Sequence, residues 1–298
     1  MKITRRDFLK LCGISAAALG LDATDLVRLE EVLGNPNGPT VIWLQGCACT
    51  GCSVSFLNRI SDVTPQTAGD VLINSINLIY HPNLMALAGQ DAAQEAMQAY
   101  NNGGYILAVE GGVPTKFSGG TCLAWNYNGK DVTFQQVVGN LANRAAAILC
   151  VGTCASWGWV AAAPPNPTAV RSVKSHTGKT TINIAGCPPH PDWIVWAVVQ
   201  LLLGKTIVLD SYGRPTALFN RRVHDLCPRR ETEEAETFGI DHRCLEELGC
   251  LGPDTTGACP THLWNGGVNW CCEANALCIG CTDPRFPFVQ LTSRESDD

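Results

Sequence analysis

From Val41 to Asp210, short apolar runs alternate with longer stretches of helical period. Val41-Ile42-Trp43-Leu44-Gln45, Ile76-Asn77-Leu78-Ile79-Tyr80, Tyr105-Ile106-Leu107-Ala108-Val109, Ala147-Ile148-Leu149-Cys150-Val151 and Thr181-Ile182-Asn183-Ile184-Ala185 read as strands. Gln90 to Tyr100, Phe134 to Arg144 and Pro191 to Leu203 read as helices. A strand that is apolar at consecutive positions has both faces covered, and the intervening helices supply the cover. The pattern predicts an open, doubly wound α/β domain around a parallel sheet.

Four of these strands run into turns rich in glycine and cysteine: Gly46 to Cys52, Glu110-Gly111-Gly112, Gly152 to Ser156, and Gly186-Cys187-Pro188-Pro189. Such turns lie at the carboxyl edge of a parallel sheet, where open α/β folds build their sites. Cysteines far apart in the chain can therefore meet. After Asp210 the texture changes to Gly, Pro, Cys and charge, and no strand or helix pattern persists outside a weak one from Arg230 to Phe238. A segment of that length needs another source of folding energy, and metal ligation is one.

The chain has 16 cysteines in 298 residues, ten of them after residue 150 and eight between Cys227 and Cys281. A chain this long can bury a core without disulfide staples. The density reads instead as thiolate ligands for several metal clusters, and clusters in a row carry electrons.

Three sets emerge. Cys49-x-x-Cys52 is a weak signal alone, shared with zinc sites and redox disulfides, but Cys154 and Cys187 fall on the same predicted edge. Four thiolates at one rim fit a 4Fe–4S cluster. His224-x-x-Cys227 with Cys244 and Cys250 forms the second set; its spacing also fits a Cys₃His zinc site. An imidazole in place of a thiolate leaves a cluster less negative and raises its potential. Cys259, Cys271, Cys278 and Cys281 form the third set. Cys272, beside Cys271, competes with it for that role, and one of the two is a bystander. Cys150 lies in an apolar strand and reads as core, and Cys47 and Cys122 read as packing thiols. His81, His176, His190, His242 and His262 show no metal pairing, and Glu110 reads as a partner for its turn.

A net charge of −6 argues against nucleic acid as a partner. Charged residues are only 16%, which suggests that a partner protein covers part of the surface. Thr4-Arg5-Arg6-Asp7-Phe8-Leu9-Lys10 followed by Leu11 to Leu21 reads as a twin-arginine export signal, with Cys12 inside it. That route carries folded proteins, which suits clusters built before export. No run reads as a transmembrane anchor.

The chain resembles the small, electron-transferring subunit of periplasmic nickel–iron hydrogenases. The likeness rests on Cys-Thr-Gly-Cys-Ser at 49–53, Val-Glu-Gly at 109–111, Gly-Thr-Cys-Ala-Ser at 152–156 and Gly-Cys-Pro-Pro-His-Pro at 186–191. It continues through Asp-Ser-Tyr-Gly-Arg-Pro at 210–215, Val-His-Asp-Leu-Cys-Pro-Arg at 223–229, Leu-Gly-Cys-Leu-Gly-Pro at 248–253, Trp-Asn-Gly-Gly-Val at 264–268 and Cys-Ile-Gly-Cys at 278–281. The resemblance implies a leader over 1–34, a flavodoxin-like domain over 35–210 and an irregular cluster domain over 211–298. It implies a proximal cluster on Cys49, Cys52, Cys154 and Cys187, and a distal one on His224, Cys227, Cys244 and Cys250. The medial cluster would use Cys259, Cys278 and Cys281.

Most of that family has proline where Cys271 stands, which leaves a 3Fe–4S medial cluster. Cys271 supplies a fourth thiolate, so three 4Fe–4S clusters are expected, with 3Fe–4S the fallback if Cys271 does not ligate. This feature, with Ala48 before the first ligand, places the chain close to the nickel–iron–selenium branch. Implied partners are a hydrogenase large subunit that carries the nickel–iron site and a cytochrome c-type or bridging-subunit acceptor. The expected location is periplasmic, with membrane association through a partner or a retained signal. Two other readings stay open: an electron carrier or adaptor like the related cluster-bearing subunit of respiratory complex I, which lacks the tail from His224 to Cys281, and zinc at the C-terminal sites.

Overall fold

A computed structural model describes residues 38–61, 66–74, 76–239 and 242–286. The twin-arginine segment, Cys12 and the acidic C-terminus lie outside the described residues. Strands β1 (Thr40–Gln45), β2 (Asn77–Tyr80), β3 (Ile106–Glu110), β4 (Ala147–Val151) and β5 (Ile182–Ile184) form one sheet. Their order is β2-β1-β3-β4-β5 and every neighbouring pair is parallel. This is the flavodoxin-like winding, in which the strand order reverses beside β1 and opens a crevice at the carboxyl edge.

The period of two in each strand divides the core into halves. Val41, Trp43, Ile106, Ala108, Leu149 and Val151 face one side, against α1 (Gly51–Leu57), α2 (Ala68–Asn74) and the later helix Pro191–Leu202. Ile42, Leu44, Leu107, Val109, Ile148 and Cys150 face the other, against α3 (Gly89–Asn102) and α4 (Phe134–Ala142). Helix α3 lies close to the sheet because its buried stripe is Ala92, Ala93, Ala96 and Ala99. Helix α4 starts at a capping box in which Thr133 and Gln136 satisfy each other's backbone N–H groups. A short helix, α5 (Thr153–Trp157), follows β4 directly. Helix α6 (Pro191–Leu202) is apolar all round because residues from Trp193 to Gln200 are buried.

A hairpin, Leu123–Tyr127 with Lys130–Thr133, was not expected from the hydrophobic pattern. Its signal is Asn128-Gly129, both at positive φ (52° and 73°), the two-residue turn that suits strand twist.

Beyond Asp210 the described chain has only short helical turns, including Val223–Leu226 and Cys259–His262. Its core is small: Val223, Ala235, Leu245 and Trp270 with Cys250, Cys272 and Cys278. Arg214 fastens this segment to the first, with Nε on Asp210 Oδ2 at 2.8 Å and Nη1 donating to Thr282 O at 2.9 Å. The weak pattern from Arg230 to Phe238 forms no regular element and the stretch runs in turns. Its backbone bonds go to a distant partner instead: Ala235 N–H to Cys244 O at 2.8 Å and Cys244 N–H to Glu233 O at 2.9 Å.

Candidate metal centres

The first set gathers at the carboxyl edge of the sheet. Cys49 and Cys52 ride the turn from β1 into α1, Cys154 sits in α5 just beyond β4, and Cys187 follows β5. Glu110, at the end of β3 and 1% exposed, holds the turn. Its Oε1 accepts the N–H of Cys52 at 3.1 Å and of Ser53 at 3.4 Å, and its Oε2 accepts the Ser53 hydroxyl at 2.5 Å. Trp43 Nε1 and Gln45 Nε2 donate to the same Oε2 at 3.2 and 3.0 Å. Gly152 leaves the room that Cys52 needs: a Cβ at Gly152, whose φ is +90°, would stand 2.4 Å from Cys52 Sγ.

These sulfurs share one electrostatic neighbourhood. Burial pushes the Cys154 thiol up to about 12, and negative charge on Cys187, Cys49, Cys47 and Glu110 adds to the rise. Cys52 is raised by burial, then by Glu110, Cys154, Cys187 and Cys49; Cys187 is raised by burial, then by Cys49. Bare thiolates cannot coexist here without a compensating cation, so the donor set fits a metal centre.

The third set adjoins the first. Thr153 Oγ1 accepts the N–H of Gly186 at 3.0 Å and donates to Cys281 O at 2.5 Å. Burial pushes Cys281 up to about 12, opposed by a hydrogen bond from the Cys187 backbone; Cys271 and Cys187 raise it further. Cys259 is raised by burial and then by Cys281, Cys278 and Cys271. The four thiols therefore feel one another, with Cys271 the exposed member in this isolated chain.

The second set adjoins the third through Leu251, whose N–H donates to Cys278 O at 2.8 Å. His224, Cys227, Cys244 and Cys250 line one small cavity with Arg229, Trp270 and Cys272. The His224 N–H donates to Gly252 O at 3.0 Å and Cys227 N–H to His224 O at 3.0 Å, which fixes the His-x-x-Cys turn. A hydrogen bond from Cys272 lowers Cys227 to about 7 and Cys250 to about 6, against burial in both cases. Sequence reasoning missed the side of the chain on which Cys272 falls. It also missed Glu246, whose Oε2 lies 3.8 Å from His224 Nδ1 and which forms with His224 and Cys244 a trio of ligand atoms within 4.8 Å of one another.

Residues 49–201 match the family described as NADH ubiquinone oxidoreductase, 20 Kd subunit. Residues 219–292 match the family described as the C-terminal part of the NiFe/NiFeSe hydrogenase small subunit. The periplasmic [NiFeSe] hydrogenase small subunit of Desulfomicrobium baculatum is 37% identical over 96% of this chain and 97% of its own. The chain belongs to the NiFe/NiFeSe hydrogenase small subunit family. It is also 38% identical to the uptake hydrogenase small subunit of Azotobacter vinelandii, over 95% of this chain and 80% of that one. The solved [NiFeSe] hydrogenase from Desulfovibrio Vulgaris Hildenborough superposes with a TM-score of 0.79 at 38% identity, covering 86% of this chain and 96% of that one. As a hydrogenase small subunit, the chain is part of an enzyme whose other part is a large subunit.

The remaining cysteines and histidines of this small subunit have structural surroundings. Cys150 is fully buried in β4. Cys47 N–H donates to Gly112 O at 3.0 Å, and burial followed by Cys47 pushes Cys122 up to about 11. His81, His176, His190 and His262 each have a ring nitrogen in a hydrogen bond to protein, and His242 Nδ1 lies 3.5 Å from Arg229 Nη2. All fifteen described cysteines are free thiols. Among the described residues no helix is long and apolar enough to cross a membrane.

Proposed function

We propose that this chain conducts electrons between the H2-activating site of its large subunit and an external acceptor through three iron–sulfur clusters. The observation that carries the reading is the contact order of the ligand sets. Thr153 joins the first set to the third, and Leu251 joins the third to the second. Residues scattered from Cys49 to Cys281 thus form a line, which a set of independent structural zinc sites would not require.

Cys49, Cys52, Cys154 and Cys187 would hold the proximal cluster; Cys259, Cys271, Cys278 and Cys281 the medial; His224, Cys227, Cys244 and Cys250 the distal. Iron–sulfur clusters supply centres that accept and release one electron at a time. The chain's own part is to fix their spacing, exclude water and set their potentials. Buried Cys52, Cys278 and Cys250 keep the line dry. The imidazole of His224 raises the potential at the outer end. With Cys271 as a fourth thiolate the medial centre is 4Fe–4S and of lower potential than its 3Fe–4S counterpart.

The large subunit docks beside the first set. An open cavity of about 630 Å³ lies there, lined by Gly51, Val54, Ile60, Pro188, His190 and Trp264 among others, with Val54 and Ile60 exposed. The boundaries are a leader over 1–34, a flavodoxin-like domain over 35–210 and a cluster domain over 211–298. The twin-arginine motif and the periplasmic relatives support export as a folded, loaded protein. The acceptor is a cytochrome c-type protein or a bridging subunit.

Breaking the middle of the line tests conduction directly. In the purified heteromer, Cys278→Ala should leave hydrogen–deuterium exchange at the large subunit intact while abolishing reduction of an acceptor that reaches only the His224 end. Undiminished acceptor reduction would contradict the reading.

A further inference from the structure

Cys271 and Cys272 are neighbours in the chain, yet they belong to different sets. Cys271 is exposed and shares the neighbourhood of Cys259, Cys278 and Cys281. Cys272 is 3% exposed and lines the cavity of His224, Cys227, Cys244 and Cys250. Its Sγ lies 3.9 Å from Cys250 Sγ, within sulfur hydrogen-bond distance, and Cys227 lines the same cavity. The chain turns here so that the two side chains diverge: Ala274 N–H bonds to Trp270 O at 2.9 Å and Asn275 N–H to Cys272 O at 3.0 Å.

We infer that Cys272 donates its one S–H to the thiolate of Cys250, and thereby raises the potential of the distal centre. The inference rests on the proposed distal cluster. With His224, Cys227, Cys244 and Cys250 as its four ligands, Cys272 is a fifth donor with no coordination position left to take. Its sulfur neighbour Cys250 is then a thiolate, which can only accept. At 3.9 Å and 3% exposed, Cys272 presents its S–H to Cys250, because a further bare charge in this dry pocket would stand unpaired. A hydrogen bond to a ligand sulfur withdraws electron density from the iron and favours the reduced state. The effect adds to that of His224 and works in the same direction. Cys272 acts through the ligands, so its role is one of tuning.

The test uses the whole heteromer carrying Cys272→Val or Cys272→Ser, with redox titration followed by paramagnetic resonance. The distal signal is recognised by nitrogen hyperfine coupling from the His224 imidazole. With Val, iron content should match wild type. The oxidised-to-reduced ratio of the distal centre at a fixed potential should rise about fivefold, the weight of one ordinary hydrogen bond, or about 40 mV for one electron. Ser, which keeps a donor, should recover part of the shift, and the medial potential should not move in either variant. An unmoved distal potential with full iron overturns the inference alone. Loss of about four irons in both variants also overturns it, because Cys272 would then be a ligand. A wild-type enzyme with no imidazole-coupled signal overturns the distal-cluster reading and this inference with it.

Discussion

The Glu110 carboxylate accepts the backbone N–H of Cys52 at 3.1 Å, across 58 residues of chain. One buried side chain thus ties the end of β3 to the helical turn that carries Cys52, a proposed ligand. With Ser53, Gln45 and Trp43 also donating, Glu110→Ala strands several buried donors at once. We expect a loss of about 3 kcal/mol or more in stability, read by thermal unfolding of the heteromer. The proximal centre should be depleted in the same sample, by about four irons. Glu110→Gln, which keeps an acceptor for Cys52, should fall between.

Gly152 serves the same ligand from the other side. Gly152→Ala imposes a side chain at φ +90° and sets its Cβ 2.4 Å from Cys52 Sγ. Backbone strain of about 1–3 kcal/mol is expected, together with displacement of Cys52. Iron analysis should show a specific loss of the proximal centre, with medial and distal signals retained.

On the proposed reading, Cys271 sets the type of the medial centre. Cys271→Ala removes the fourth thiolate and should release about one iron per small subunit, giving a strong 3Fe–4S signal in the oxidised protein that the wild type lacks. A stoichiometric signal of that kind already present in the wild type would remove Cys271 from the ligand set.

Burial holds the His81 imidazole down at about 4, against an ordinary 6.5, although the charge of Glu110 pulls the other way. The ring is neutral in the fold: Nδ1 accepts the N–H of Asn83 at 3.2 Å and Nε2 meets Ser53 Oγ at 3.2 Å. The unfolded chain binds this proton more readily, so its presence favours unfolding. Stability is complete above about pH 6.5 and falls as pH drops towards 4, by about 3 kcal/mol from this group. His81→Gln should flatten that part of the stability–pH curve; a curve unchanged in slope would show that His81 is not its source.

Much of this arrangement was legible in the chain. β1, β3 and β4 are apolar at consecutive positions because both faces are covered, and the pairs Cys49-x-x-Cys52, His224-x-x-Cys227 and Cys278-x-x-Cys281 are spaced for a single turn whatever surrounds them. Helix α1 escaped notice because it opens at Thr50, in left-handed backbone with no side-chain cap, and leaves Val54 and Leu57 exposed. The weak pattern from Arg230 to Phe238 gives no regular element because Cys244, beyond its end, takes up its backbone groups. The side taken by Cys272 was unreadable in principle. Two adjacent thiols look alike in sequence, and only the turn after Trp270 separates them.

Total iron, zinc and acid-labile sulfide in the purified heteromer test the central claim most directly. Three 4Fe–4S clusters predict about twelve irons and about twelve sulfides in the small subunit, with zinc absent from these positions. Zinc at the His224 or Cys259 sets, with no sulfide to match, would contradict it.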